Sequence, residues 1–347
     1  MVSLKEIIDF IIANFSYFVI MPIRYIQNLG GPVYGPSPRC IPISNFPKFV
    51  SQNEAKIKRE HAEVNRTSPA PAAMVSVRAE NLEKNRYKNV LAFDHSRVRL
   101  GAGSGGDYIN ANYIHHPQQH NAYIATQGPL CNTVRDFWQM VYEQGTTVVV
   151  MLGENIEHRI PKVFRYWPLF PEEKYTLKLG PLRVRMLIER KTPWGMYRSI
   201  RVSAGTKYRD INHYQLTEWA DYGAPSDPYL LLRFVLAVRY HSQEGSFDTT
   251  SSRPVVVHCS AGVGRTGTFI AVDTVVRELL SSQTTSIDLY GIIRHMRSQR
   301  NSMIQGDVQY LYAHKVIALL LNRAAFAKNL SRNALYYKLI GNGNPLR

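Results

Sequence analysis

The sequence predicts an α/β domain in which a short loop between a buried strand and a helix carries the chemistry. Residues 253–258 form a proline-led run rich in β-branched side chains, which favours a buried strand. Residues 266–280 place their apolar side chains at helical spacing. A length of 347 residues and a hydrophobic content of 45% suit one large globular α/β domain, although two domains of ordinary size would also fit.

The loop between these two elements has the composition of an anion-binding site. Residues 257–267 read Val-His-Cys-Ser-Ala-Gly-Val-Gly-Arg-Thr-Gly, with Cys259 near one end and Arg265 near the other. A helix N-terminus offers free backbone N–H groups and the positive end of the helix dipole. The glycines that let the backbone curl around an anion are Gly262, Gly264 and Gly267. We therefore expect this loop to bind phosphate.

The same electrostatic field favours the thiolate form of Cys259, which is the nucleophilic form of a cysteine. Arg265 offers a planar guanidinium that can bind two phosphate oxygens at once. This combination indicates nucleophilic phosphoryl transfer through a phosphocysteine intermediate. No metal or cofactor is expected, because backbone N–H groups and Arg265 together meet the phosphate charge. The alternative is a buried structural cysteine in a glycine-rich turn. The residues expected to contact phosphate through their backbone are Ser260, Ala261, Gly262, Val263 and Gly264.

This run resembles the signature of the cysteine-dependent protein tyrosine phosphatases, and the resemblance extends from about residue 45 to residue 322. Further segments that resemble the family, in its order, are 84–100, 107–114, 126–130, 136–138, 162–168 and 305–310. The resemblance implies a classical, phosphotyrosine-specific enzyme with a single catalytic domain. It also implies a central twisted mixed sheet flanked by helices, and proteins that contain phosphotyrosine as substrates.

The resemblance implies that Asp221 is the general acid that protonates the leaving phenolate. Asp221 lies in the segment 218–225, which resembles the mobile acid loop of the family, with Trp219 at one hinge. The sequence departs from the family at Ala220, where a proline is usual. Because proline restricts the backbone, alanine is expected to change how often this loop closes. The alternative is that Asp221 only caps a turn.

The second step, hydrolysis of the phosphocysteine, requires a placed water molecule. By resemblance, Gln305 and Gln309 position this water. Thr266 is expected to offer its hydroxyl to the sulfur of Cys259, which is the leaving group of this step. His258 is expected to orient the loop through hydrogen bonds, without shuttling protons.

Other residues gain expected roles from the same resemblance. Glu157 falls where the family has a carboxylate that braces the loop arginine, Arg265, and Lys162 belongs to the supporting residues. Tyr87 is expected to stack on the phosphotyrosine ring and to form a wall that stops phosphoserine short of the cysteine. Asn89 stands where the family often has an aspartate that grips the peptide backbone, so a weaker or different grip is expected.

Composition constrains the setting and the partners. The three cysteines, Cys40, Cys131 and Cys259, have unrelated spacings, which match neither a disulfide framework nor a zinc site. A reactive thiol requires a reducing compartment, so a cytoplasmic protein is expected. The formal charge of +16 favours acidic partners such as phosphopeptides or anionic membranes. No nucleic-acid partner is expected, because no recognition motif accompanies the charge.

The sequence divides into four parts. Residues 1–29 form an apolar amphipathic segment, 30–44 a Pro/Gly linker, 45–322 the catalytic domain and 323–347 a basic tail. For the first segment we favour a helix packed on the domain over attachment to a membrane surface, and that over a secretion signal. The tail is likewise expected to pack on the domain or to contact a membrane weakly. A monomer is expected.

Three alternative functions compete with a phosphotyrosine phosphatase. A pseudophosphatase that only binds phosphotyrosine is suggested by Ala220, but Cys259, Arg265 and Asp221 are all present. A dual-specificity or lipid phosphatase shares the cysteine loop, yet its shallow pocket has no use for the segment 84–87. A membrane adaptor would depend on the two ends of the chain, with the domain as a passenger.

Overall fold

The fold is described by a computed structural model that covers residues 37–101, 106–117, 119–219, 223–243, 253–280 and 284–326. The strands in these ranges are β1 (Ile41–Pro42), β2 (Arg97–Arg99), β3 (Tyr108–His116), β4 (Gln119–Thr126), β5 (Val148–Leu152), β6 (Ile156–Glu157), β7 (Ile160–Pro161), β8 (Leu177–Leu179), β9 (Leu182–Thr192), β10 (Gly195–Ala204), β11 (Lys207–Leu216), β12 (Val255–His258) and β13 (Ser286–Ile287). The α-helices are α1 (Phe46–Gln52), α2 (Glu54–Thr67), α3 (Val134–Glu143), α4 (Pro228–Gln243), α5 (Gly264–Leu280), α6 (Leu289–Gln299) and α7 (Asp307–Phe326).

Nine strands form one mixed sheet in the order β2-β3-β4-β12-β5-β11-β10-β9-β8. The four inner strands β4, β12, β5 and β11 run parallel to one another, and antiparallel pairs extend the sheet at both edges. The predicted mixed sheet flanked by helices is therefore confirmed. Because β12 lies between β4 and β5, the loop that follows it leaves the sheet near its centre, at the carboxyl ends of the parallel strands. Open α/β sheets bind their ligands at such edges.

Both faces of the sheet are covered. In β5, Val148 and Val150 belong to the hydrophobic core formed with α1, α2 and α4 to α7. Val149 and Met151 of the same strand belong to a second core, which includes α3. Successive side chains of a strand point to opposite faces of the sheet. Because both faces are covered here, β5 is apolar at every position. Burial of one such side chain contributes roughly 1.5–3 kcal/mol to the free energy of unfolding.

The boundaries differ from the sequence-based prediction at both ends of the domain. Residues 37–44 were expected to belong to a linker, but Ile41 pairs with Ile287, and Ser37 donates hydrogen bonds to the carboxylate of Asp288. These long-range contacts make the segment part of the domain, which local composition does not indicate. Helix α7 continues to Phe326, beyond the predicted domain end at residue 322.

Two other predictions concern parts of the chain that the structure does not describe. The apolar segment 1–29 lies outside the described residues, and so does most of the basic tail, residues 327–347. Within the ranges given above, no helix is both long enough and apolar enough to span a bilayer.

Candidate active site

The cysteine loop connects the end of β12 at His258 to the start of α5 at Gly264. Cys259 is buried, with an exposed fraction of 3%. Gly262 has φ of +72°, a left-handed conformation that suits glycine. A Cβ atom at Gly262 would lie 2.0 Å from the carbonyl oxygen of Thr126, so a side chain is also excluded sterically. The sequence-based prediction of a tightly curled loop between a strand and a helix is confirmed.

Five consecutive backbone carbonyls, from Cys259 to Val263, accept hydrogen bonds from the surrounding protein. The Nδ1 of His258 donates to the carbonyl of Cys259, and the N–H of Gly128 donates to that of Ser260. Arg300 donates to the carbonyls of Ala261 and Gly262, and the N–H groups of Gly267 and Ile304 donate to that of Val263. All these distances are 2.9–3.1 Å. In a trans peptide the C=O and the following N–H point in opposite directions. The N–H groups of the loop are therefore turned to the other side, toward the pocket above the cysteine, where they can bind an anion.

The sulfur of Cys259 accepts a hydrogen bond from the backbone N–H of Gly262 at 3.3 Å. The expected hydrogen bond from the hydroxyl of Thr266 is not formed. Thr266 is fully buried, and its Oγ1 has no hydrogen-bond partner among the described residues. Sequence proximity to Arg265 suggested the contact, but the position of a side chain at the start of a helix depends on its rotamer, which sequence does not indicate.

Arg265 is buried and forms an ion pair with Glu157. Its Nη1 lies 2.6 Å from Glu157 Oε1, and the exposed fractions of the two side chains are 1% and 9%. The same Nη1 donates a hydrogen bond to the carbonyl oxygen of Trp219 at 2.8 Å. Glu157 thus occupies the bracing position that the family resemblance implies. Trp219 is connected to Arg265 through its backbone carbonyl.

Tyr87 stands at the side of the pocket and is hydrogen-bonded to the loop. Its hydroxyl lies 2.9 Å from Ser260 Oγ, which in turn donates to the carbonyl oxygen of Lys162 at 3.1 Å. Asn89 is exposed, and its carbonyl oxygen accepts a hydrogen bond from Asn301. The pocket, about 450 Å³ including its solvent-open part, is lined by Tyr87, Asn89, Val90, Cys259, Ser260, Ala261, Gly264, Arg265, Gln305 and Gln309.

The two glutamines differ in their surroundings. Gln305 is exposed at the pocket, whereas Gln309 is buried. The Nε2 of Gln309 donates a weak hydrogen bond of 3.4 Å to the carbonyl oxygen of Gly223, and its Oε1 has no partner among the described residues. This oxygen lies 2.7 Å from where a Cβ of Gly264 would be, so the amide faces the cysteine loop.

Asp221 and Ala220 lie outside the described residues. The residues on either side of them are placed next to the site. Trp219 is buried, its indole Nε1 donates to the carbonyl oxygen of Gly223 at 3.0 Å, and its carbonyl accepts from Arg265. The segment that carries the predicted general acid therefore begins and ends beside Arg265 and Gln309.

His258 is held in a neutral form behind the loop. Burial lowers the pKa of His258 to about 4, so the ring is uncharged at neutral pH. Its Nδ1 lies 3.1 Å from the carbonyl oxygen of Cys259, and its Nε2 lies 2.7 Å from the hydroxyl of Tyr166. These contacts fit the predicted role of orienting the loop.

Two arginines that sequence reasoning missed also position the site. Arg300 is fully buried, and burial lowers its pKa to about 10, so it remains protonated while it binds two loop carbonyls. Arg86 binds the carbonyl oxygens of Gly128 and Pro129, and the N–H of Gly128 donates to the Ser260 carbonyl of the loop. Arg300 lies 38 residues from Gly262, and no local pattern connects them. Only the position of Arg86 next to Tyr87 could have suggested its role.

A known protein family matches the part of the chain that carries this site. Residues 81–319 match the family model described as protein-tyrosine phosphatase. The chain is 40% identical over 258 residues to receptor-type tyrosine-protein phosphatase F of Mus musculus, covering 72% of this chain and 13% of the mouse protein. The corresponding Homo sapiens protein is 36% identical over 318 residues, covering 89% of this chain and 16% of the human protein.

A solved structure is also similar. It is described as "Structural basis of PTPN18 fingerprint on distinct HER2 tyrosine phosphorylation sites". The TM-score is 0.72 at 32% sequence identity, and the match covers 80% of this chain and 99% of that one. The curated relatives are thus much longer than the matched region, whereas this solved chain is matched over nearly its whole length.

Proposed function

Because the chain belongs to the protein-tyrosine phosphatase family, we propose that it hydrolyses phosphotyrosine in proteins through a phosphocysteine on Cys259. The observation that carries this proposal is the set of five loop carbonyls, Cys259 to Val263, that are bound away from the pocket. Their arrangement leaves the loop N–H groups facing the space above Cys259, with Arg265 beside it. Such a preorganised cradle stabilises a trianionic transition state without metal chemistry.

In the first step, the thiolate of Cys259 attacks phosphorus and the bond to the tyrosyl oxygen breaks. The loop N–H groups and Arg265 bind the equatorial oxygens. Asp221 gives its proton to the departing phenolate, so that neutral tyrosine leaves. The contact of Arg265 with the Trp219 carbonyl supports this assignment, because it brings the start of the acid segment next to bound phosphate.

In the second step, water attacks the phosphocysteine and the phosphorus–sulfur bond breaks. Asp221, now a carboxylate, takes a proton from this water, and inorganic phosphate is released. Gln305 and Gln309 position the water. The sulfur leaves as a thiolate, and the N–H of Gly262, 3.3 Å away, stabilises it. Thr266 is not given this role, because its hydroxyl does not contact the sulfur.

Selectivity for phosphotyrosine follows from the depth of the pocket. Tyr87 is fixed by its hydrogen bond to Ser260, so its ring forms a stable wall beside the cysteine. A phosphoserine side chain is shorter than an aryl phosphate and would not reach Cys259. Asn89 at the mouth contacts the peptide backbone as a neutral group, which makes the grip weaker than that of a carboxylate.

We place this domain in the cytoplasm, because a thiolate nucleophile requires reducing conditions. Its substrates are phosphotyrosine-containing proteins, and the charge of +16 favours acidic sequences around the phosphotyrosine. The same charge supports weak contact with anionic membranes. The receptor type of the relatives from Mus musculus and Homo sapiens is compatible with a catalytic domain on the cytoplasmic side of a membrane.

The proposal is tested with the purified full chain and two peptides of one sequence, carrying phosphotyrosine or phosphoserine. We expect release of phosphate from the first peptide only. Cys259→Ser should lose turnover by at least about a thousandfold while it still binds the phosphotyrosine peptide, since the N–H cradle remains. Cys131→Ser, at an exposed cysteine, is the matched control.

Three outcomes would contradict the proposal. Near-wild-type turnover by Cys259→Ser would remove Cys259 as the nucleophile. Binding without turnover by the wild-type chain would instead establish a pseudophosphatase, for which Ala220 would be the first explanation. Equal turnover of both peptides would indicate a dual-specificity phosphatase.

A further inference from the structure

A chain of buried polar side chains extends from the cysteine loop across the central sheet. The Nε2 of His258 lies 2.7 Å from the hydroxyl of Tyr166, and this hydroxyl lies 2.7 Å from Nε2 of His213. The Nδ1 of His213 lies 3.5 Å from Nη1 of Arg198, a long hydrogen bond. All four side chains are buried. Burial lowers the pKa of His213 well below its ordinary value and raises that of Tyr166 well above its own, so both are neutral at physiological pH.

The positions of the protons in this chain follow from its two ends. A carbonyl oxygen only accepts, so His258 Nδ1 donates to Cys259 and its Nε2 must accept from Tyr166. The Tyr166 oxygen then accepts from His213 Nε2, which leaves His213 Nδ1 as an acceptor. An arginine only donates, and Arg198 is the group that faces this atom. Both ends therefore favour the same direction for every hydrogen bond, in competition with the backbone carbonyl of His213, which accepts from the ring of the same residue.

The far end of the chain carries a fixed charge. Arg198 donates to Glu189 on the neighbouring strand β9 and to Gln215 at 2.8 Å, and its guanidinium lies 4.4 Å from the ring centre of Trp167. These contacts hold the guanidinium in one orientation. Burial lowers the pKa of Arg198, but Glu189 opposes this effect, and the group remains a cation at neutral pH.

We propose that Arg198 and His213 are positioning residues for Cys259, acting through Tyr166 and His258 on the Cys259 carbonyl. This inference rests on the proposed function. The Arg198 cation selects one direction for the hydrogen bonds, and that direction keeps an N–H of His258 on the carbonyl of Cys259. Because the peptide is trans, holding this carbonyl fixes the N–H of Ser260 on the pocket side, where the anion binds.

The consequence is a more stable thiolate and tighter phosphate binding. Arg300 interacts electrostatically with Cys259, and Arg265 lines the same pocket as Cys259. The charged groups that interact with His258 are Arg86 and Arg265. These arginines remain in place when a substitution at Arg198 or His213 interrupts the chain of hydrogen bonds. Loss of one buried hydrogen bond should therefore lower the alkylation rate of Cys259 roughly three- to tenfold at a pH where the thiol is mostly protonated.

The experiment measures the rate of iodoacetamide alkylation of Cys259 against pH in the full chain, by mass spectrometry of the peptide that contains it. Arg198→Met removes the charge and the donor, and Arg198→Lys keeps both. We expect the midpoint of the pH profile to move upward in Arg198→Met and to stay near wild type in Arg198→Lys. Tyr123→Phe is the control, because it removes a buried hydroxyl that binds Asp273 instead.

Two further variants keep the test decisive if Arg198→Met does not fold. His213→Leu interrupts the chain of hydrogen bonds while Arg198 keeps its contacts to Glu189 and Gln215. This variant should also move the midpoint of the alkylation pH profile upward. In a Tyr166→Phe background, His213→Leu should add no further shift of the midpoint, because the loss of the Tyr166 hydroxyl has already interrupted the chain of hydrogen bonds.

The proposal is overturned if His213→Leu and Arg198→Met alkylate with the wild-type or Tyr123→Phe profile, or if Arg198→Lys shifts as far as Arg198→Met. An additive shift in the Tyr166→Phe background would also overturn it. A wild-type Cys259 that is unreactive at neutral pH would contradict the proposed function itself, and the two failures are thereby separated.

Discussion

The Nη1 atom of Arg265 lies 2.8 Å from the carbonyl oxygen of Trp219. Since the same atom is paired with Glu157, one guanidinium nitrogen connects the phosphate site, a bracing carboxylate and the start of the predicted acid segment. Phosphate binding and the position of that segment are therefore expected to depend on each other.

Glu157→Gln should leave Arg265 buried without a counter-charge. Breaking such a buried ion pair lowers the free energy of unfolding by about 3 kcal/mol. We also expect kcat/KM to decrease by about tenfold to a hundredfold, because Arg265 loses its orientation. Inorganic phosphate should stabilise the variant more than the wild type, because it provides the missing negative charge. Urea unfolding with and without phosphate measures this. Glu154→Gln, at an exposed carboxylate three residues earlier, is the control, and equal stabilisation by phosphate in all three proteins would contradict the account.

Asp221→Ala should slow hydrolysis of tyrosyl phosphate far more than that of an aryl phosphate with an activated leaving group. A good leaving group departs without protonation, so only the poor one needs the acid. The measurement compares kcat for the two substrates, with Glu218→Gln as the control at a nearby exposed carboxylate. Equal losses on both substrates would mean that Asp221 is structural, as a turn cap would be.

Stability should decrease as the pH falls from about 6.5 toward 4. Burial lowers the pKa of His258 and of His314 to about 4, whereas the unfolded chain binds these protons near pH 6.5. The unfolded state therefore gains protons first, and each histidine removes roughly 2 kcal/mol from the free energy of unfolding at pH 5 relative to pH 7. Urea unfolding at both pH values measures the loss. His314→Gln should reduce it, and His95→Gln, at an exposed histidine, should leave it unchanged.

Mild peroxide should inactivate the enzyme reversibly by oxidising Cys259. Although Cys259 is buried, it lines a pocket that is open to small oxidants, and a thiolate is the most oxidisable form of cysteine. Added thiol should restore activity. The family often has a second cysteine after the lysine at Lys162, but this chain has Val163, which is buried. We therefore expect a sulfenamide with the backbone or a mixed disulfide with an external thiol. Mass spectrometry decides, and a disulfide from Cys259 to Cys40 or Cys131 would show the prediction to be wrong.

The sequence predicted the elements whose determinants are local. The strand before Cys259, the helix after it and the curled loop between them follow from β-branched residues, helical periodicity and glycines in one contiguous segment. The bracing contact between Glu157 and Arg265 came from the family resemblance, since 108 residues separate the two. The short strand at Ile41 was missed because its partner, Ile287, lies in a distant segment and the local composition is that of a linker.

The support behind the loop could not be predicted for a similar reason. Arg300 binds the loop carbonyls directly, whereas His213 contacts Tyr166 and Tyr166 contacts His258. All these contacts depend on how the sheet and helices pack. The hydroxyl of Thr266 shows the opposite error. Its neighbours in sequence suggested a contact with the sulfur, but the hydroxyl has no hydrogen-bond partner among the described residues.

The central claim is that phosphate is transferred to the sulfur of Cys259, and trapping that intermediate tests it most directly. Gln305→Ala should slow attack by water while it leaves the first step intact, so phosphate should accumulate on the enzyme. The measurement is rapid denaturation of this variant during turnover of a phosphotyrosine peptide, followed by mass spectrometry. We predict phosphate on the peptide that contains Cys259, and none in Cys259→Ser. Turnover with no phosphorylated cysteine, or with the phosphate on another residue, would contradict the account.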